Sequence, residues 1–252
     1  MELTLAIPEN QIYNSFISKK DDYKNHTLKI IRTSEQQCFN MLINNKVQVS
    51  LLTPYGYGQG LVKSDLRIIP GTALGAIGYT GLATIVFNKG IRIFKTLTCN
   101  DKNDFVSIIS KIILAERYSL LLNLVEQKGT NQELPANFET AIIFGKGEEN
   151  VTDLDLTEDW LDTYEMPLPL AFWVCKADLP FENIPEILTD IFEPVKMAAD
   201  IIKSENDAYE RQGKFIWQWN NEMENALEQT LQLLFFHQFL PEIPAIKIWG
   251  RD

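Results

Sequence analysis

The sequence predicts an α/β protein whose opening part is a parallel sheet with crossover helices. Three observations carry that expectation. Strand and helix patterns alternate over the first fifty residues in the order βαβαβ. Two apolar runs, at residues 47–52 and 82–87, flank a segment studded with Gly71, Gly75, Gly78 and Gly81. Further short apolar runs, at 141–144 and 170–175, alternate with helical patterns.

Taken in order, Leu3, Leu5 and Ile7 alternate with Thr4 and Ala6, the two-residue period of a strand. The segment Pro8-Glu9-Asn10-Gln11 ends it, and a helix is expected at 12–18. A second strand at 27–31 leads to Arg32-Thr33-Ser34. Ser34 with Gln37 three residues on is a capping-box pattern, and the helix behind it places Cys38, Met41 and Leu42 on one face. The third strand, 47–52, ends at Thr53-Pro54-Tyr55. Ligands of parallel α/β sheets lie outside the carboxyl ends of the strands, so Asn10-Gln11, Thr33-Ser34 and Thr53-Pro54-Tyr55 form a candidate pocket wall.

The glycine-studded segment, with Thr72, Tyr79, Thr80 and Thr84, reads either as a run of turns or as backbone that approaches a ligand closely. A strand is expected at 91–97, then Thr98 to Asp104, then a helix with Phe105, Ile108, Ile109, Ile112 and Ile113 on one face. Asp101 and Asp104 read either as caps of that helix or as part of a ligand-holding helix tip. Residues 126–137 form a polar surface loop. Strand 141–144 ends at Gly145-Lys146-Gly147. The acidic stretch 153–164 holds a short helix at 157–161, and strand 170–175 follows. Beyond Pro180 come two long helices, 184–202 with Pro194 as a kink, and 220–239. The prolines of 241–249 suit an extended edge segment.

At 252 residues, 45% hydrophobic, the chain buries a real core as one domain or two small ones. A net charge of −11 argues against nucleic-acid and anionic-membrane partners. A small anion is still accommodated, because backbone N–H groups make a pocket locally positive. No signal-peptide pattern and no membrane-length apolar run is present, and three scattered cysteines, Cys38, Cys99 and Cys175, suit a reducing, cytoplasmic setting.

The sequence holds no P-loop, no GxSxG and no GxGxxG opening a helix. His26 and His237 have no metal-spaced partner, so no metal and no cofactor are expected. The acidic pairs Glu148-Glu149 and Glu158-Asp159 read as solvated faces. An enzyme with this sequence would work by positioning and by hydrogen bonds from loops.

Four stretches carry a family resemblance. LINNKVQVSLLTP, IIPGTALGAIGYTGLATIVFN, FVSIISKIILAERY, and AIIFGKGE followed by DLTEDWLDTYEMPLPLAFWVCK occur in the order and spacing of one family. The chain resembles the chorismate dehydratase and dihydroxynaphthoate synthase family of the futalosine route to menaquinone, over most of residues 1–180. The resemblance implies a two-lobed fold like the type II periplasmic binding proteins, with a central ligand cleft. It implies lobes at 1–89 plus 178–252 and at 90–177.

It also implies site residues. Asn10 matches the family's asparagine after the first strand, and Thr84 stands where the family has a serine in the crossover strand; both would be catalytic. Gln11, Thr33, Ser34, Thr53, Tyr55, Tyr79, Thr80, Asn100, Lys102 and Asn103 would bind substrate. The helix tip at 100–104 departs from the family's Ser-x-Thr-Ser, and its aspartates would repel a carboxylate unless Lys102 compensates. Gly145-Lys146 stands where a Gly-Asp is expected. The implied activity is a carbon–oxygen lyase converting chorismate to enolpyruvyl-benzoate, or a paralogue acting on another small carboxylate. The altered tip leaves open a non-catalytic cytoplasmic binding protein for small anions. The expected partner is a carboxylate-bearing metabolite, and homodimerisation stays open.

Overall fold

A computed structural model describes residues 2–10, 12–13, 22–23, 26–129, 134, 137–145, 153–180, 183–191, 201–203 and 210–251. Gln11, most of the helix expected at 12–18, residues 146–149 and residues 192–200 lie outside the described residues.

In chain order the elements begin β1 (Glu2–Pro8), β2 (Asp22–Tyr23), β3 (His26–Thr33), α1 (Glu35–Ile43), β4 (Val49–Leu52), α2 (Pro54–Leu61), β5 (Leu66–Gly78) and β6 (Ala83–Phe87). They continue with β7 (Thr96–Cys99), α3 (Phe105–Tyr118), β8 (Asn123–Glu126), β9 (Thr140–Phe144), β10 (Asp153–Asp155), α4 (Leu156–Tyr164) and β11 (Leu168–Lys176). The last are α5 (Ile184–Ile191), β12 (Ile202–Lys203), β13 (Gln212–Gln218) and α6 (Asn221–Phe236). The chain forms two compact units, Met1–Gly75 with Pro169–Ala198 and Ile216–Asp252, and Ala76–Leu168 with Ala199–Phe215.

In the first unit the strands pair in the order β5-β11-β4-β1-β3-β2. β1 is parallel to both β3 and β4, with Pro8 opposite Thr33 and Ala6 opposite Ser50. β11 is antiparallel to β4, with Phe172 opposite Leu52. Strands β4 and β11 are mostly apolar and buried on both faces, as central strands under helices must be, and the one hydroxyl in β4, Ser50, donates to the Cys38 carbonyl at 3.2 Å. Helix α1 packs on β1 and β4, and α2 packs on α6. In the second unit five strands pair as β10-β6-β9-β7-β8. β7 is parallel to β8 and β9, while β6 is antiparallel to β9 and β10. Helix α3 buries Phe105, Ile108, Ile109, Ile112 and Ile113, the face its periodicity predicts.

Several elements differ from the sequence-based expectation. Tyr55 does not lie in a loop: Pro54 opens α2, whose N-cap is Thr53. Three glycines hide this helix, each costing about 1 kcal/mol of helix propensity against alanine. Packing explains two of them, since a Cβ on Gly58 would meet a Leu240 methyl at 2.5 Å and one on Gly60 a Leu66 methyl at 2.3 Å. The glycine-studded segment is largely strand, thirteen residues of β5, which ends where Gly78 turns to φ +68°. The strand expected at 91–97 is instead β7 at Thr96–Cys99, because Ile93 is 72% exposed and finds no apolar surface. Of the helix expected at 184–202, Ile184–Ile191 is α5, residues 192–200 lie outside the described residues, and Ile202 is not helical but pairs in β12 with Gly213. Strands β2, β8, β10 and β13 were not anticipated. The 241–249 tail does run along β5, with Ile68 bridging Ile248 in parallel.

Candidate functional site

In the first unit the carboxyl ends of three adjacent parallel strands carry the polar side chains. β1 lies between β4 and β3; the chain leaving β1 runs to β3 on one side and the chain leaving β4 runs to β5 on the other, the arrangement that opens a ligand crevice in α/β sheets. Asn10 follows β1 and is half-buried; its Oδ1 accepts from the Ile12 N–H at 3.2 Å. Thr33 closes β3, half-buried, and its carbonyl accepts from the Glu9 N–H at 2.8 Å. Ser34 is the exposed N-cap of α1, its Oγ accepting from the Gln37 N–H at 3.3 Å. Thr53, 2% exposed, caps α2, its Oγ1 accepting from the Gly56 N–H at 3.3 Å. Tyr55 sits half-buried in the first turn of α2, edge-on to Phe239, and burial raises its phenol pKa.

One feature recurs in this group. Asn10, Ser34 and Thr53 each accept one backbone N–H on their oxygen, and each still carries an amide N–H or a hydroxyl proton that it can donate to a ligand. The first turns of α1 and α2 add unpaired N–H groups and the positive ends of two helix dipoles. Such a set favours an oxygen acceptor that carries no proton.

In the second unit β7, β9 and β10 end, and β6 begins, at one end of the sheet. Thr80, Gly81 and Leu82 lead into β6, and the Gly145 N–H donates to the Leu82 carbonyl at 3.0 Å. Thr84 is buried on β6 and spends its hydroxyl proton on the Gly145 carbonyl at 2.6 Å. Asn100 follows β7, its Oδ1 accepting from the Gly129 N–H at 2.9 Å. Lys102 and Asn103 are exposed in the next turn, which Asp101 closes by accepting from the Asn103 N–H at 2.8 Å. Asp101 therefore caps that turn and not α3, whose N-cap residue is Asp104, with no side-chain cap bond.

Three residues there were not anticipated as a site. Asp155, 2% exposed, caps α4 and receives N–H bonds from Gly81 at 2.8 Å, Thr157 at 3.1 Å and Glu158 at 3.0 Å. Burial pushes its carboxyl up, against the pull of those bonds and of Arg211. Thr157 is fully buried, with Oγ1 touching Gly78, Asp155 and Thr80. Arg211 lies 4.4 Å over the Tyr79 ring and pairs with Glu158 at 2.7 Å. The spacing Asp155-x-x-Glu158 is a cap signature and could have marked the first. Nothing in the sequence brings Arg211 to Tyr79.

Burial holds the Cys99 thiol up to about 11 and the Cys175 thiol up to about 12, and raises Cys38 as well, so none is a thiolate nucleophile at neutral pH. Among the described residues no cluster of His, Cys, Asp and Glu could hold a metal ion, and no helix is long and apolar enough to cross a membrane.

Two α/β sheets with this order of strands define a protein with a periplasmic-binding-protein-like fold. The chain is similar to the periplasmic aliphatic sulphonate binding protein SsuA of Escherichia coli, with TM-score 0.60, 11% identity and coverage of 98% of this chain and 97% of that one. It is similar to protein AF1704 of Archaeoglobus fulgidus, with TM-score 0.62, 13% identity and coverage of 95% and 98%. A third similar structure is an ABC transporter protein of Parabacteroides distasonis, with TM-score 0.58, 11% identity and 99% of both chains covered. The chain belongs to the menaquinone biosynthesis family, whose profile matches residues 10–233, and this supports a role in that pathway. No curated protein matches the chain.

Proposed function

We propose that the protein is a chorismate dehydratase-like lyase of menaquinone biosynthesis, or a close paralogue acting on a related small carboxylate. The observation that carries the reading is the set of N–H and O–H donors at the ends of β1, β3 and β4, with no titratable base among Asn10, Thr33, Ser34 and Thr53. The Thr33, Ser34 and Thr53 loops hold the substrate carboxylate, and Asn10 orients the ring. Tyr55 closes the apolar side of that loop. In the second unit Thr84, Tyr79, Thr80, Asn100, Lys102 and Asn103 are the proposed contacts. Loss of water from chorismate yields an aromatic ring, so the elimination is downhill and positioning supplies much of the rate. The family membership supports a role in menaquinone biosynthesis.

Incubation of the protein with chorismate, followed by mass spectrometry, tests the reading. Enolpyruvyl-benzoate formed at a rate proportional to protein concentration supports it, and unchanged chorismate at high protein concentration removes it.

The Asp101-Lys102-Asn103 turn, with Lys102 and Asn103 exposed, favours a second reading, a binding protein that holds a small anion without changing it. SsuA, similar in fold, is named for binding aliphatic sulphonates. A thermal-shift screen with chorismate, aromatic acids and sulfonates separates the two: a stabilising ligand recovered intact supports binding alone.

A further inference from the structure

The proton count around Thr157 is unusually constraining. Its Oγ1 lies 2.6 Å from the Gly78 carbonyl, 2.7 Å from Asp155 Oδ1 and 2.8 Å from Thr80 Oγ1. The Gly78 carbonyl has no proton, so only the Thr157 hydroxyl can fill that contact. With Asp155 ionised, the contact to Oδ1 would then set lone pair against lone pair at 2.7 Å in a buried site. With a proton on Asp155, all three contacts hold one proton each. Asp155 donates to Thr157, Thr157 donates to Gly78, and Thr80 donates to Thr157. The oxygen of Thr157 then uses both lone pairs and its one proton.

This fixes what Thr80 has left. Its proton points inward to Thr157, and its oxygen accepts from the Leu82 N–H at 3.3 Å. One lone pair remains. We infer that Asp155 is a neutral carboxylic acid in the native fold and that, through Thr157, it makes Thr80 a hydrogen-bond acceptor that selects a hydroxyl group of the ligand, not its carboxylate. The second half rests on the reading above, in which Thr80 touches the ligand. Asp155 and Thr157 are positioning residues; Thr80 makes the contact.

The surroundings agree. Charged and titratable groups on the elements packed around Asp155 are Asp153 on β10, Glu158, Asp159, Asp162 and Tyr164 on α4, Lys111, Glu116, Arg117 and Tyr118 on α3, and Tyr79 and Arg211 beside the turn. Arg211 is committed to Glu158, and Arg117 to Asp159 and Asp162. Arg211 still pulls the Asp155 carboxyl down, and burial, the larger effect, pushes it up.

The test has two arms. In the full chain labelled at aspartate Cγ, NMR at pH 7 should show one aspartate signal at the position of a protonated acid. That signal should vanish in Asp155→Asn and move in Thr157→Val, which assigns it even if Asp155→Asn fails to fold. If every aspartate signal sits at the carboxylate position at pH 7, the inference is overturned. The second arm compares 3-hydroxybenzoate with benzoate by calorimetry. Thr80→Val should weaken 3-hydroxybenzoate about fivefold, the worth of one hydrogen bond, and leave benzoate unchanged. Equal weakening of both acids overturns the Thr80 assignment. Binding of neither acid by the unmodified protein overturns the Thr80 assignment together with the carboxylate reading, while the NMR arm still decides the state of Asp155.

Discussion

Thr53 is where fold and proposed function can be separated by substitution. It is buried to 2% exposure, follows β4 directly, and caps α2 through the Gly56 N–H at 3.3 Å, so one hydroxyl serves two purposes. Thr53→Val keeps the volume and removes the oxygen. Loss of the cap costs about 1 kcal/mol of stability. Loss of a donor to a charged ligand group costs about 1.5–3 kcal/mol of binding, or roughly tenfold to hundredfold in affinity. Thr53→Ser keeps cap and donor and loses one methyl, about 0.8 kcal/mol of stability, with binding near the unmodified level. Urea unfolding reads the stability of both variants, and calorimetric titration with chorismate reads their affinity. The two variants should lie close in stability and far apart in affinity. Equal chorismate affinity in Thr53→Val and the unmodified protein would refute the donor role, and the cap alone would then explain the residue.

Other expectations concern the frame around the site. Trp160 is fully buried and its indole N–H donates to the Pro167 carbonyl at 3.1 Å, so Trp160→Ala should cost about 3–5 kcal/mol in urea unfolding. Gly78→Ala should destabilise by about 1–3 kcal/mol, because φ is +68° and the new Cβ would meet the Gln212 carbonyl oxygen at 2.5 Å; Gly75→Ala, at a strand position without that φ, serves as the comparison in the same assay. Glu139 accepts from the Lys95 and Thr96 N–H groups, and these bonds hold its carboxyl below the ordinary 4.5. A carboxyl lowered in the fold adds stability above its unfolded value, and that increment is lost as pH falls through the folded value. Glu139→Gln should therefore be less stable than the unmodified protein near neutrality, and the difference should close as pH falls from about 4.5 through the folded value, read by urea unfolding at a series of pH values.

Much of the first unit was legible because its signals are local. Alternating Leu3, Leu5 and Ile7, the Ser34 cap and the apolar run before Thr53 each state a strand or a helix start within a few residues, and β1, α1 and β4 appear where those signals lie. Helix α2 was not legible, since Gly56, Gly58 and Gly60 contradict it and are explained only by Leu240 and Leu66 packed against two of them. The strand misplaced at 91–97 has the right composition, but β-branched residues become a strand only beside a partner, and the pairing partners lie at β8 and β9. Most of the candidate site residues were named from strand ends and from family likeness. Their hydrogen bonds were not readable, because a side chain's proton goes wherever the nearest acceptor stands.

The sequence by itself determined the α/β class, the strand-end positions of Asn10, Thr33 and Thr53, and the menaquinone-family membership, since periodicity, caps and motif order are written along the chain. Tertiary structure alone decided that Asp155 meets Gly81 across 74 positions, that Thr157 meets Gly78 across 79, and that Arg211 covers Tyr79. Those contacts join residues remote along the chain, and the protonation they impose depends on distances of a few tenths of an ångström that only packing sets.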